Sequence, residues 1–296
     1  MEPGFPPLEE SGIAIIGLGL MGGSFALALR QAGLGHPLIG IDHDASTRAQ
    51  AAPYLDQVGA DLELIRRADL IILATPVRVI LRLLKEVGEY ASPGTVVLDF
   101  GSTKQQIVQA MRHLPSHLYP LGGHPLCGRE KAGFAAATAD LFHGARFALT
   151  PLERTPPQAL RFVEDLLSRL GMSPLYLNAE EHDRLLAVSS HLPYLLAASL
   201  MQVALQVAQA DERLFQVTAS GFRDTSRLAA SHPQMMLDIL LTNRPAVLQA
   251  LQRFQQTLSL LQLWLEGPEE QALEAWMGEI SRRRLEMGTK KGNREP

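Results

Sequence analysis

Three short segments of this chain carry an unusual density of polar side chains. The first is Gly122-Gly123-His124-Pro125-Leu126-Cys127-Gly128-Arg129-Glu130-Lys131. An imidazole with its ordinary pKa of ~6.5 can take or give a proton near neutrality. His124, bracketed by glycines and proline at the end of an apolar run, is not in the usual setting of a core histidine. The second segment, Asp99-Phe100-Gly101-Ser102-Thr103-Lys104, also follows an apolar run. Ser102 there is either a helix N-cap or a hydroxyl of a site. The third, Ser220-Gly221-Phe222-Arg223-Asp224-Thr225-Ser226-Arg227, lies in an otherwise helical region. Arg227 follows Asp224 by three residues, so the two can share a helix face. Two more histidines stand out less. His191, in Ser190-His191-Leu192-Pro193, is either a ligand contact or a satisfied interior residue, and His182, after Glu180-Glu181, reads as an exposed helix start.

These segments need a scaffold, and its first element is legible. Ile13-Ala14-Ile15-Ile16 is an apolar, largely β-branched run that breaks into Gly17-Leu18-Gly19-Leu20-Met21-Gly22 and then a helical pattern. The run reads as a buried strand. The glycines read as the turn into a helix whose N-terminus holds a pyrophosphate: Gly17 for the tight turn, Gly19 for close approach of backbone to phosphate, Gly22 for helix–strand packing. Asp42 stands twenty residues past Gly22, after the second apolar run Leu38-Ile39-Gly40-Ile41. A carboxylate there can accept the ribose hydroxyls and repel a 2′-phosphate, which favours NAD over NADP; His43 and Arg48 nearby can soften that preference. Asp42 as a mere helix cap is the alternative. Thr75 and Pro76 end the next strand, where ligands of open α/β sheets lie, and they are expected to shape the cofactor wall.

Strands are predicted at 12–16, 38–42, 69–74, 95–99, 119–122, 146–150 and 173–177, with helices between them at 22–32, 45–52, 61–66, 77–90, 103–113 and 156–170. This alternation predicts an α/β fold, a doubly wound parallel sheet with helices on both faces. Beyond residue 178 strand signals vanish and helical patterns cover 179–209, 211–230, 233–240 and 243–287, punctuated by Pro193, Pro233, Pro245 and Pro268. Two domains are expected: a dinucleotide-binding domain over 11–178 and an all-helical domain over 179–290. Val247, Leu248, Leu251, Phe254, Leu258, Leu261 and Leu265 make an apolar stripe at helical spacing. It predicts either a homodimer through the helical half or a core internal to one chain; the homodimer is favoured.

Bulk properties exclude several classes. A length of 296 residues suits two domains, and 46% hydrophobic with 20% charged residues is ordinary for a globular protein. A formal net charge of −4 argues against nucleic-acid and anionic-membrane surfaces. One cysteine allows no internal disulfide. No metal-binding spacing is evident. The Pro-rich start has no secretory pattern and no run of eighteen uninterrupted apolar residues occurs, so a cytoplasmic protein without a membrane span is expected. The basic tail, Arg282-Arg283-Arg284 and Lys290-Lys291, reads as a solvated end.

Taken together, the Gly17–Gly22 fingerprint, Gly101-Ser102-Thr103-Lys104, Gly123-His124-Pro125-Leu126-Cys127-Gly128-Arg129-Glu130-Lys131, Ser190-His191-Leu192-Pro193 and Gly221-Phe222-Arg223-Asp224-Thr225-Ser226-Arg227 resemble the TyrA family. These are the prephenate and arogenate (cyclohexadienyl) dehydrogenases of tyrosine biosynthesis. Each motif is modest alone; five in the family's order, across residues 12–265 or so, are specific. The resemblance implies a Rossmann domain followed by a helical dimerisation domain, and NAD(P)-dependent oxidative decarboxylation of prephenate to 4-hydroxyphenylpyruvate or of arogenate to tyrosine. It implies that His124 takes the proton of the ring hydroxyl, that Ser102 orients this histidine beside the nicotinamide, and that Arg227 binds a substrate carboxylate, a role its planar fork suits. It further implies that His191 lies on the substrate side, with Ser220, and that Glu130 and Asp224 pair with the arginine.

The chain departs from the family at Tyr194, where many members have a second histidine, and at Ser226-Arg227, where Thr-Arg is common. No chorismate mutase segment or C-terminal regulatory module is expected. Prephenate and arogenate differ by a keto group against an ammonium on the side chain, and these residues leave both open. A β-hydroxyacid dehydrogenase is a competing reading of the glycine fingerprint, but its Lys-x-x-Asn spacing occurs here only at Lys290…Asn293. A non-catalytic nucleotide-binding sensor is another, and it has no need of His124, Ser102 and Arg227 together.

Overall fold

The computed structural model describes residues 4–128 and 131–292. The chain forms two compact units, one ending at Val247 and the other beginning at Leu248.

The first unit is built on an eight-stranded sheet: β1 (Ile13–Ile16), β2 (Leu38–Ile41), β3 (Gln57–Gly59), β4 (Leu70–Leu73), β5 (Val96–Asp99), β6 (Tyr119–Pro125), β7 (Arg146–Pro151) and β8 (Ser173–Tyr176), in the spatial order β3-β2-β1-β4-β5-β6-β7-β8. Around it lie α1 (Leu20–Ala32), α2 (Ala45–Ala51), α3 (Val77–Tyr90), α4 (Gln105–Met111) and α5 (Pro157–Arg169). β1 pairs in parallel with β2 and β4, with Ile13 opposite both Leu38 and Leu70. Successive strand residues point to opposite faces, and both faces are covered. Ile13, Ile15, Leu70 and Ile72 therefore pack with Phe25 and Leu29, while Ala14, Ile16, Ile71 and Leu73 pack with Ile80, Leu84 and Val87. That double burial is why these strands read as unbroken apolar runs.

Two features differ from the expected sheet. β7 runs antiparallel to β6, with Ala148 opposite His124. The described residues between these strands hold only a short 3₁₀ turn, Phe134–Ala136, and a strand entered without a crossover helix returns antiparallel. The edge strand β3 is absent from the sequence expectation; its three half-buried or exposed residues form no apolar run. The expected helix at 61–66 is a 3₁₀ turn over Leu62–Arg67.

Helices follow the sheet: α6 (Ala179–Leu186), a π-turn (Ala187–His191), α7 (Leu192–Ala208), α8 (Ser220–Ser226), a 3₁₀ turn (Arg227–Ala230), α9 (Pro233–Thr242) and α10 (Arg244–Glu266). The π-turn has a local cause. Pro193 has no N–H to give to the carbonyl four residues back, and the ladder widens there, with the Leu192 N–H bonded to the Ala187 carbonyl. The stretch Ala179–Ala208 has the length and apolar composition of a membrane-crossing helix, but it sets His182, Asp183 and His191 into the interior.

In the second unit, α10 continues to Glu266 and α11 spans Glu270–Gly292, so the single helical pattern expected over 243–287 is two helices separated at Gly267-Pro268. The rings of Trp264 and Trp276 meet edge to face, 6.4 Å apart. Leu258, Leu263, Leu265, Met277, Ile280 and Leu285 are exposed.

Candidate active site

The glycine fingerprint sits where strand becomes helix at the carboxyl end of β1. Gly17 has φ +95°, and a Cβ there would lie 2.8 Å from the Ala74 carbonyl oxygen. At Gly22 a Cβ would lie 1.9 Å from the Gly17 carbonyl oxygen. At Gly19 a Cβ would meet nothing within 4 Å. Gly17 and Gly22 are thus demanded by the turn itself, while Gly19 faces open space at the N-terminus of α1. Among the described residues no side chain caps that terminus, leaving its first N–H groups for an anion.

One oxygen of the Asp42 carboxylate accepts the Leu18 N–H at 2.8 Å and the other accepts the Asp44 N–H at 2.9 Å. Asp42 therefore braces the loop, and the helix cap of α2 is Asp44, which accepts the Thr47 N–H at 2.7 Å. Arg48 donates to the Asp42 carbonyl. At the end of β4 the Thr75 hydroxyl is buried without a partner among the described residues, and Pro76 precedes α3. An open glycine, uncapped helix N–H groups, a braced carboxylate and an orphaned hydroxyl fit a dinucleotide at this edge.

The histidines lie at the carboxyl ends of β5 and β6, in a hydrogen-bonded chain contributed by distant parts of the sequence. His124, half-buried on β6, places Nδ1 2.9 Å from Nε2 of His182. His182 Nδ1 lies 2.8 Å from Asp183 Oδ1. The Asp183 carboxylate also accepts the backbone N–H groups of Lys104 (2.6 Å) and Gln105 (2.9 Å). It thus caps α4 from the far side of the sequence, and Ser102 does not. Asn243 donates to the Asp183 carbonyl at 2.7 Å and stands 3.1 Å from His191 Nδ1. His182, Asp183, His191 and Asn243 are all buried.

His182 corrects the reading of an exposed helix start. The capping box of Asn178 and Glu181 does begin a helix there, but α6 turns the next two side chains inward. Chemistry-bearing residues that sequence reasoning missed are therefore His182, Asp183 and Asn243. The adjacent His-Asp pair was the available signal.

Beneath the chain lies a second polar unit. Lys104 and Asp99 are fully buried and form an ion pair. The lysine also donates to the Gly123 carbonyl at 2.6 Å, and Asp99 accepts the N–H groups of Gly101 (2.8 Å) and Gly123 (3.0 Å). This pair ties the turn that carries Ser102 to the residue preceding His124. Burial pushes the pKa of Asp99 up and that of Lys104 down, each opposed by the other's charge.

Burial also lowers the pKa of all three imidazoles. His124 is held well below the usual value, first by burial and then by His182, Lys104 and His191. His182 is lowered by burial against the pull of Asp183. His191 falls to about 4 through burial. Each shift favours the neutral ring, the form in which an imidazole can accept a proton.

The network joins two of the residues singled out from the sequence, His124 and His191. Ser102 is half-buried on the turn between β5 and α4. Ser220, Asp224 and Arg227 stand on the exposed surface of α8 and the turn after it. Arg227 ends α8 with helical backbone angles, φ −50° and ψ −42°, so its three-residue relation to Asp224 holds. Tyr194 is half-buried in the first turn of α7. Glu130 lies outside the described residues.

Comparison with known proteins agrees with this architecture. Residues 25–174 match the family model for the prephenate dehydrogenase nucleotide-binding domain, and residues 178–279 that for the prephenate dehydrogenase dimerization domain. The chain is 34% identical to a prephenate dehydrogenase of Bacillus subtilis (strain 168) over 267 residues, covering 88% of this chain and 72% of that protein. Among solved structures it resembles an A. aeolicus prephenate dehydrogenase in complex with hydroxyphenyl propionate and NAD+, with TM-score 0.87 and 29% identity over 94% of this chain and 98% of the other. It also resembles Synechocystis arogenate dehydrogenase, with TM-score 0.80 and 32% identity over 93% and 99%. The matches span both the nucleotide-binding and the helical parts, and the chain belongs to the prephenate dehydrogenase family.

Proposed function

We propose that this chain is a prephenate or arogenate dehydrogenase that uses NAD, with NADP as the weaker cofactor. The observation that carries the reading is the His124 imidazole at the carboxyl end of β6, tied back through Nδ1 to His182 and held by burial towards its neutral form, on the sheet edge that also bears the glycine turn. Gly17, Leu18, Gly19, Leu20, Met21 and Gly22 with the start of α1 hold the pyrophosphate, Asp42 the ribose, and Thr75, Pro76 and Ser102 the nicotinamide side. The bound dinucleotide supplies the hydride acceptor.

As the carbon bearing the ring hydroxyl gives up its hydride, the hydroxyl proton passes to His124. The ring carboxylate leaves as CO2, and the electron pair of the broken bond completes the aromatic ring. The phenolate oxygen formed in this way takes a proton back from His124, giving 4-hydroxyphenylpyruvate or tyrosine. Ser102 orients the imidazole. The Asp183 carbonyl accepts from Asn243, so the amide nitrogen of Asn243 faces His191 Nδ1. His191 therefore carries its proton on Nε2 and offers a neutral N–H donor to a substrate oxygen. Arg227, with Asp224 one helical turn before it, takes a substrate carboxylate.

The 11–178 and 179–290 domain division, a cytoplasmic setting and a homodimer belong to the same proposal. The exposed apolar residues of α10 and α11 support association, because faces of that kind mark protein–protein contacts.

The test is a two-by-two assay, prephenate and arogenate each with NAD+ and NADP+, followed by dinucleotide reduction at 340 nm. Reduction with at least one ring substrate and NAD+ is expected, and none in any of the four would reject the assignment. Arg227→Ala is expected to raise KM for the ring substrate by roughly 10- to 100-fold, since hydrogen bonds to charged groups are worth ~1.5–3 kcal/mol. An unchanged KM in initial-rate kinetics would remove Arg227 from carboxylate binding.

A further inference from the structure

The bond between His124 and His182 decides which nitrogen of His124 is free to act. We propose that His182 is a positioning residue: with Asp183 it fixes His124 in the tautomer whose Nε2 is unprotonated, and it shares the captured proton until the phenolate oxygen of the product takes one back from His124. This rests on the reading of His124 as the proton acceptor.

One group in this chain of hydrogen bonds has no choice of role, because a carboxylate only accepts. Asp183 has both oxygens occupied as acceptors, Oδ1 by the Lys104 N–H at 2.6 Å and Oδ2 by the Gln105 N–H at 2.9 Å. The contact from His182 Nδ1 to the same Oδ1 at 2.8 Å must then be a donation, so His182 carries its proton on Nδ1. In a neutral imidazole the other nitrogen is an acceptor. His182 Nε2 therefore accepts from His124 Nδ1 across 2.9 Å, and the lone pair of His124 lies on Nε2. Without His182 the ring could equally protonate Nε2 and present a donor where the substrate hydroxyl needs an acceptor.

The same geometry governs the fate of the captured proton. Once Nε2 of His124 has taken the hydroxyl proton, both of its nitrogens are protonated. Nδ1–H can pass its proton to His182 Nε2, leaving His124 neutral and His182 cationic beside the Asp183 carboxylate. One proton moves along one hydrogen bond and no bond between heavy atoms changes; once CO2 has left, the reverse transfer lets His124 Nε2 return a proton to the phenolate oxygen. Burial disfavours a cation on His124, and the carboxylate favours one on His182. The cation thus moves towards the group of opposite charge at the end of the chain. Asp183 has a second task through its backbone, since its carbonyl orients Asn243 against His191. One residue of α6 therefore sets the protonation pattern of both imidazoles.

The experiment is selective ¹⁵N labelling of histidine in the full-length enzyme with NAD+ added, with the ring nitrogens followed by long-range proton–nitrogen correlation. His124 is assigned by the signals lost in His124→Asn. In the wild type, Nδ1 of His124 is expected in the range of a protonated ring nitrogen and Nε2 in the unprotonated range. In His182→Leu the two signals are expected to move together as the tautomers mix. kcat is expected to fall between ~10-fold and ~10⁴-fold, the upper figure being what a wrong imidazole tautomer costs in a serine-protease triad, while KM stays at the wild-type value. His182→Gln should restore the wild-type signals and most of kcat, because its carbonyl can accept from His124 and its amide N–H can donate to Asp183.

A wild-type His124 protonated on Nε2 overturns the proposal whatever the activity. So does a His182→Leu variant with unaltered His124 signals. Should that variant not fold, the wild-type spectrum and His182→Gln decide the matter. The expected tautomer together with full turnover in His124→Asn would instead leave the lock standing and reject His124 as the base.

Discussion

His124→Asn is expected to lower kcat by ~10²–10⁴, the range that a positioned general base contributes, with the affinity for NAD+ nearly unchanged. The asparagine amide can still meet His182, so the fold around β6 is conserved; what disappears is a nitrogen able to accept a proton. The dinucleotide loop is on β1 and α1, and its bracing contacts run through Asp42 rather than His124. Stopped-flow turnover and an NAD+ titration by fluorescence separate the two effects, and wild-type turnover in this variant would remove His124 from the chemistry. The same imidazole sets a pH signature. A base must be neutral to act, and burial, with the two neighbouring imidazoles and the Lys104 ammonium, holds the His124 pKa well below the usual value. The acid limb of kcat/KM in the wild type is therefore expected to lie below pH ~6.5, the ordinary histidine value. A limb at or above that value would show that the ring is not held neutral by its surroundings.

Lys104→Met is expected to destabilise the folded protein by ~3–5 kcal/mol, the cost of leaving one partner of a buried ion pair without the other. Lys104 and Asp99 are both fully buried. Removing the ammonium leaves the Asp99 carboxylate held only by the Gly101 and Gly123 N–H groups. The Gly123 carbonyl, which accepts from Lys104 at 2.6 Å, also loses its partner, next to His124. Asp99→Leu combined with Lys104→Met is expected to regain much of the loss, since apolar replacement of a buried pair is often neutral or stabilising. Urea unfolding at fixed protein concentration measures both variants. A single-variant cost below ~1 kcal/mol, the scale of an exposed pair, would mean that Asp99 is already neutral in the folded state, the direction in which burial pushes it.

Much of the scaffold was legible because local sequence and local structure obey the same period. The strands β1, β2, β4 and β5 are apolar almost throughout because the sheet is covered on both faces. The glycine turn announced itself because two of its positions cannot hold a Cβ, one for its positive φ and one for its contact with a carbonyl. The direction of β7 was not legible, because it depends on the lack of a crossover helix among the described residues between β6 and β7. Nor was β3, whose three residues pair with β2 at an edge and bury too little to leave an apolar pattern.

For the site the division is sharper. Residue types alone determined that His124 was unusual and that a dinucleotide belongs on β1, since glycine spacing and a histidine among glycines are properties of a few neighbouring positions; His191 they left open between a ligand contact and an interior residue. Which groups these histidines meet was decided only in three dimensions. His182 reads as exposed because its neighbours Glu180 and Glu181 are polar, yet α6 docks against the start of α4 and turns it inward. Ser102 resembles a helix cap, yet the cap of α4 is the carboxylate of Asp183, which lies 79 residues beyond the Lys104 N–H it accepts. Asn243 carries no local signal and still sets the orientation of His191. Hydrogen bonds between segments so far apart depend on how helices pack on the sheet edge, and a linear pattern carries only what a residue's near neighbours impose.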